Sequence, residues 1–107
     1  MAAPDWLTAR PIAHRGLHDR AAGRPENTLA AARAAVAGGF AIECDVQLSA
    51  DGEAMVFHDA ALGRLTGTGA ALADRSAAEL GTLAVAGSAE TIPVSYTHLT
   101  LPTNREV

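Results

Sequence analysis

Apolar residues enter the chain briefly at Pro11-Ile12-Ala13 and stop at His14-Arg15-Gly16. The polar, Gly- and Pro-containing residues 17–25 that follow read as a loop after a short strand. Asn27 or Thr28 then provides a helix N-cap. Behind it Leu29, Ala32, Arg33 and Val36 recur at the i, i+3, i+4, i+7 spacing of one helical face, and Gly38-Gly39 closes the helix. Residues 40–48, FAIECDVQL, alternate as a strand does. The order is therefore β-α-β, and a right-handed crossover makes the first two strands parallel neighbours in an α/β fold. Asp51-Gly52 is a hairpin signal between residues 46–48 and 55–57. Residues 62–70, LGRLTGTGA, read as a Gly/Thr-rich loop, and Ser76 to Glu79 fits a capping box for a short helix ended by Gly81.

Polar residues break this pattern where a strand would bury Val or Ile. Alternation puts Glu43 and Asp45 on one strand face and Ile42, Cys44 and Val46 on the other. A two-residue Asp51-Gly52 turn sets Leu48 opposite Met55, Val46 opposite Phe57 and Asp45 opposite His58. A three-residue bulged loop would slip this by one and set Asp45 against Phe57, mixing the faces. In the first register His58 and Asp45 have Cβ atoms roughly 5 Å apart, with Glu43 two residues away on the same face. Two neighbouring carboxylates repel unless a proton or cation lies between them, and hard oxygen ligands suit Mg²⁺ or Ca²⁺. Acid-x-acid alone is no more than the solvated face of an ordinary hairpin. His14-Arg15-Gly16 shifts the balance: an imidazole exchanges protons near neutrality, a guanidinium grips phosphate bidentately, and glycine lets a ligand approach the backbone. A lone His or Arg is usually structural, but these follow a first parallel strand, where α/β folds place ligand sites.

Composition narrows the picture without redirecting it. The chain has 107 residues, 49% of them hydrophobic, which suits at most one globular domain. A formal charge of −4 with no basic cluster argues against nucleic acid as a partner. The single cysteine, Cys44, excludes an intrachain disulfide, and no segment has the ~20 apolar residues of a membrane span. The expected location is the cytoplasm, without stable membrane insertion; oligomeric state is open. The first 93 residues hold 25 alanines and residues 94–107, VSYTHLTLPTNREV, hold none. Ten consecutive residues from Val94 correspond to a translated library-adapter sequence, so residues 94–107 are expected to be a non-native tail.

AHRG at 13–16, PENT at 25–28, IECDVQLSADG at 42–52 and VFHD at 56–59 together resemble the glycerophosphodiester phosphodiesterase family. Four ordered motifs over residues 11–93 are far more specific than any one of them. The resemblance implies an α/β fold, a TIM-type (β/α)8 barrel with a β-hairpin after its second strand. Such a barrel takes ~250 residues, so residues 1–93 would be its N-terminal portion and the barrel incomplete in this chain. It implies metal-dependent hydrolysis of glycerophosphodiesters to sn-glycerol 3-phosphate and an alcohol, with the fragment itself inactive. By the same resemblance His14 and His58 are the catalytic acid/base pair, Arg15 binds the substrate phosphate, and Glu43 and Asp45 ligate a divalent metal, Mg or Ca. Gly16, Glu26, Asn27 and Asp59 support the site. Two alternatives use the same residues: a related barrel phosphodiesterase or lyase acting on (lyso)phospholipids, and a non-catalytic metal- or phosphate-binding α/β module.

Overall fold

The computed structural model describes residues 11–95. The expected non-native tail lies outside them apart from Val94 and Ser95.

The described residues open with the expected β-α-β unit. Strand β1 (Ile12–His14) pairs in parallel with β2 (Ala41–Glu43), Ile12 opposite Ala41 and His14 opposite Glu43. Helix α1 (Leu29–Ala37) joins them. Thr28 is its N-cap: the hydroxyl accepts from the Ala31 N–H at 3.2 Å and donates to the Pro25 carbonyl at 2.7 Å. A second cap comes from far along the chain, where the Glu90 carboxylate accepts from the Ala30 N–H at 2.9 Å. The buried stripe of α1 is Ala31, Ala32 and Ala35, one position off the Leu29–Val36 stripe read from periodicity; Leu29 and Val36 are half-buried and Arg33 is exposed. Small side chains there let the backbone at Gly16 pack directly on the helix.

Residues 40–48 do not form one strand. The chain leaves the parallel pair after Glu43 and resumes as β3 (Val46–Leu48), which pairs antiparallel with β4 (Ala54–Val56) in a separate sheet. The break falls at Cys44-Asp45, where the Asp45 N–H turns to the side-chain oxygen of Asn27 at 3.4 Å.

The hairpin has the slipped register. Val46 lies opposite Val56, Gln47 opposite Met55 and Leu48 opposite Ala54. Phe57, not His58, therefore faces Asp45, its N–H donating to the Asp45 carbonyl at 2.9 Å. The cause is the loop: Ser49 N–H donates to the Glu53 carbonyl, and Gly52, at φ 82°, makes residues 50–52 a three-residue connection. Mixing the faces is tolerated here because β4 buries both of its faces, although it leaves Val46 and Leu48 of β3 exposed. Met55, Val56 and Phe57 are all buried, with Val56 N–H donating to the Pro93 carbonyl and Met55 bridging Val94 on the far side from β3. The inward residue of β3 is Gln47, whose amide donates to the carbonyls of Phe57 and Asp59 at 2.8 and 2.7 Å, while Val46 and Leu48 face outward.

The core gathers on the hairpin side: Met55 and Phe57 pack with Leu62, Leu65, Leu72, Leu80, Val85 and Ile92. Leu65 enters it from α2 (Gly63–Thr66), a one-turn helix within the stretch read as loop. Leu80 enters from α3 (Ala77–Leu80), capped by Ser76 and closed by Gly81 as the capping box predicts. No described helix is long and apolar enough to cross a membrane.

Candidate active site

His14 ends β1, and the chain turns sharply beyond it. Arg15 (φ 60°), Gly16 (φ 80°) and Asn27 (φ 56°) all adopt left-handed backbone, a conformation that costs free energy at the two non-glycine positions. Hydrogen bonds hold the turn: Arg15 N–H donates to Glu43 Oε1 at 3.2 Å, and Asn27 N–H donates to the Arg15 carbonyl at 2.9 Å. Gly16 is required sterically, since a Cβ there would lie 2.8 Å from Ala31 Cβ and 3.0 Å from its carbonyl carbon. The loop before α1 is thus folded back so that PENT lies beside HRG.

The side chains then interlock. His14 Nε2 lies 3.7 Å from Glu43 Oε1 across the parallel pair. The Arg15 guanidinium lies between two acids, donating to Glu26 Oε2 at 3.1 Å with its Nε 3.5 Å from Asp45 Oδ2. Asn27 is buried, and its amide donates to Asp45 Oδ2 at 3.1 Å. Beyond the hairpin His58 Nδ1 meets Asp59 Oδ1 at 2.7 Å. The expected pairing of His58 with Asp45 is absent, because the three-residue loop moves His58 one position along and its partner becomes the adjacent Asp59.

One residue that the sequence did not single out joins the two groups. Arg64, on α2, donates to Asp59 Oδ2 and Oδ1 at 2.8 and 3.2 Å and to Glu26 Oε1 and Oε2 at 3.0 and 2.9 Å. The only available signal is its spacing, five residues after Asp59 on a segment whose Leu62 and Leu65 turn inward. The consequence is a continuous polar chain, His58–Asp59–Arg64–Glu26–Arg15–Asp45, with His14 and Glu43 beside Arg15 through its backbone.

These contacts set the charges. Hydrogen bonds from Arg64, then from His58, hold the Asp59 carboxyl at about 2. Glu26 is also lowered, chiefly by its Arg64 hydrogen bonds, which outweigh the opposing effect of burial. Arg64 is raised in turn by both acids. The Cys44 thiol is pushed up by burial and then by its neighbours Glu43 and Asp45, which leaves it a poor nucleophile. Among the described residues no three His, Cys, Asp or Glu side chains are gathered so as to hold a metal ion. Glu43 and Asp45 fit Mg²⁺ or Ca²⁺ in kind, as hard oxygen donors, but fall short of a set of three.

The family model described as the glycerophosphoryl diester phosphodiesterase family matches residues 14–107. The chain belongs to that family. Among curated relatives, the probable glycerophosphodiester phosphodiesterase 1 of Mycobacterium tuberculosis is 48% identical over 73 residues, 65% of this chain and 25% of its own length. Glycerophosphodiester phosphodiesterase 1 of Bos taurus is 49% identical over 61 residues, 54% of this chain and 17% of its own. The chain thus spans a quarter or less of these relatives. Of solved structures, a glycerophosphodiester phosphodiesterase from Agrobacterium tumefaciens superposes with a TM-score of 0.71 at 33% identity, over 84% of this chain and 41% of that one. A phosphodiesterase from Oleispira antarctica, in complex with the product sn-glycerol-3-phosphate, gives 0.70 at 37% identity, over 83% and 38%. The family is one of enzymes, and the α/β portion of this chain is shared with these phosphodiesterase structures.

Proposed function

We propose that this protein hydrolyses glycerophosphodiesters to sn-glycerol 3-phosphate and a free alcohol, and that residues 11–95 supply the phosphate-gripping and acid/base part of the site within a TIM-type barrel. The observation that carries this is the His14–Arg15 turn, which sets an imidazole and a guanidinium side by side against Glu26, Glu43 and Asp45. The product bound to the Oleispira relative points to the same substrate class.

Arg15, already aligned by Glu26, binds the non-bridging phosphate oxygens. An oxygen nucleophile, water or the substrate's own glycerol hydroxyl, forms the new P–O bond as one imidazole of the His14/His58 pair accepts its proton. The other imidazole protonates the departing alkoxide, and the P–O bond to the alcohol breaks. Where the glycerol hydroxyl is the nucleophile, water then opens the resulting cyclic phosphate, one imidazole accepting its proton and the other protonating the ring oxygen that leaves, to give sn-glycerol 3-phosphate. With Nδ1 of His58 engaged by Asp59, its Nε2 is the atom that moves a proton. Glu43 and Asp45 would hold the Mg²⁺ or Ca²⁺ together with at least one ligand from outside residues 11–95. When bound, that ion neutralises charge developing on the phosphate. The 107-residue chain alone is expected to be inactive on this account, because the ligand set among its described residues is incomplete.

Release of sn-glycerol 3-phosphate from glycerophosphocholine is the test. The isolated chain should give none. Residues 11–93 joined to the remainder of the Agrobacterium relative should release it in Mg²⁺ or Ca²⁺ and stop in chelator. A folded chimera without chelator-sensitive release sinks the assignment.

A further inference from the structure

We propose that Arg64 is the positioning residue of this site, one guanidinium that fixes His58 through Asp59 and Arg15 through Glu26. The inference rests on the hydrolytic role of those two residues and adds the element that relates them in space. Arg15 and Glu26 lie in the loop between β1 and α1, while His58 and Asp59 follow β4. β1 and β4 belong to different two-stranded sheets, and Arg64 bonds to Glu26 after the one and Asp59 after the other.

The geometry is selective. Four N–H groups of one guanidinium meet all four oxygens of two carboxylates at 2.8–3.2 Å. Only the planar fork of arginine does this; an ammonium is a point charge with no bidentate plane. An exposed ion pair usually contributes little to stability. Here, however, both acids are largely shielded, Glu26 having 11% and Asp59 22% of its side chain exposed, and each bonds a second functional group beyond Arg64. Asp59 holds His58 Nδ1 at 2.7 Å and Glu26 holds Arg15 at 3.1 Å. An ionised Asp59 accepts the Nδ1 proton, so neutral His58 is fixed as the Nδ1–H tautomer with Nε2 bare. Releasing Asp59 from Arg64 frees the imidazole to rotate and exchange tautomers.

Nitrogen-15 NMR of the full 107-residue chain labelled at histidine tests this without substrate, at a pH where the imidazoles are neutral. Wild-type His58 should show the Nδ1–H pattern. Arg64→Lys, which keeps the charge, and Arg64→Gln should both lose that single-tautomer pattern. Glu26→Gln, which bonds neither His58 nor Asp59, should shift the His58 signals through Arg64. An Nε2–H pattern in the wild type, or a folded Arg64→Lys chain with the wild-type pattern, overturns the proposal. Unfolding of both Arg64 variants would make Arg64 purely structural and overturn it too. Since no turnover is measured, failure here and failure of the hydrolytic assignment are separate results.

Discussion

Gly16 has φ 80°, and its missing Cβ is where the Ala31 backbone begins, so two independent constraints select glycine. Gly16→Ala should cost about 2 kcal/mol, from left-handed strain plus a backbone shift of α1, read as a lower denaturant midpoint with an unchanged slope. Asn27 is constrained differently. It is left-handed, buried, and donates its amide to Asp45, so Asn27→Asp places two carboxylates in contact. That variant should unfold at lower denaturant than Asn27→Gly, which keeps the backbone conformation and adds no charge; equal midpoints would show that the added carboxylate meets no repulsion from Asp45. Both residues stood in motifs visible in the sequence, as did His14, Arg15, Glu26, Glu43 and Asp45. Arg64 did not, because its value lies in reaching partners 38 and 5 residues away, and a Gly/Thr-rich context concealed the one helical turn that aims it.

Elements were legible where a local signal fixes them. Thr28 and Ser76 cap their helices because a side-chain oxygen reaches the N–H three residues on, and Gly38 and Gly81 end them. Thr28→Ala should therefore cost about 1 kcal/mol in thermal or denaturant unfolding. The hairpin's existence was equally local, but its register was not. Alternation decides register only when one face is buried, whereas Met55, Val56 and Phe57 are buried together between β3 and residues 93–95. What fixes it is Gly52 in the left-handed region closing a three-residue loop, with Ser49 bonded across to Glu53. The break between β2 and β3 was hidden for a related reason: Asp45 leaves the sheet to meet Asn27, a contact 18 residues distant.

For the molecule as a whole, charge pairing joins the β-α-β unit to the hairpin side. Asp59 titrates at about 2 when folded, against 3.8 ordinarily, and Glu26 is also lowered, both chiefly by Arg64. Lowered carboxyl values mean that the unfolded chain takes up protons first as acid is added. The stabilisation they give is present above pH ~4 and is lost as pH falls toward 2. Acid unfolding followed by circular dichroism should show that loss, and Arg64→Gln should flatten it; an unchanged acid profile would contradict the pairing.

The hydrolytic claim depends most directly on the two imidazoles. In the chimera carrying residues 11–93, sn-glycerol 3-phosphate release from glycerophosphocholine should fall by roughly 10²–10⁴-fold in His14→Ala and again in His58→Ala. Folded variants that release product at the parent rate would contradict the account.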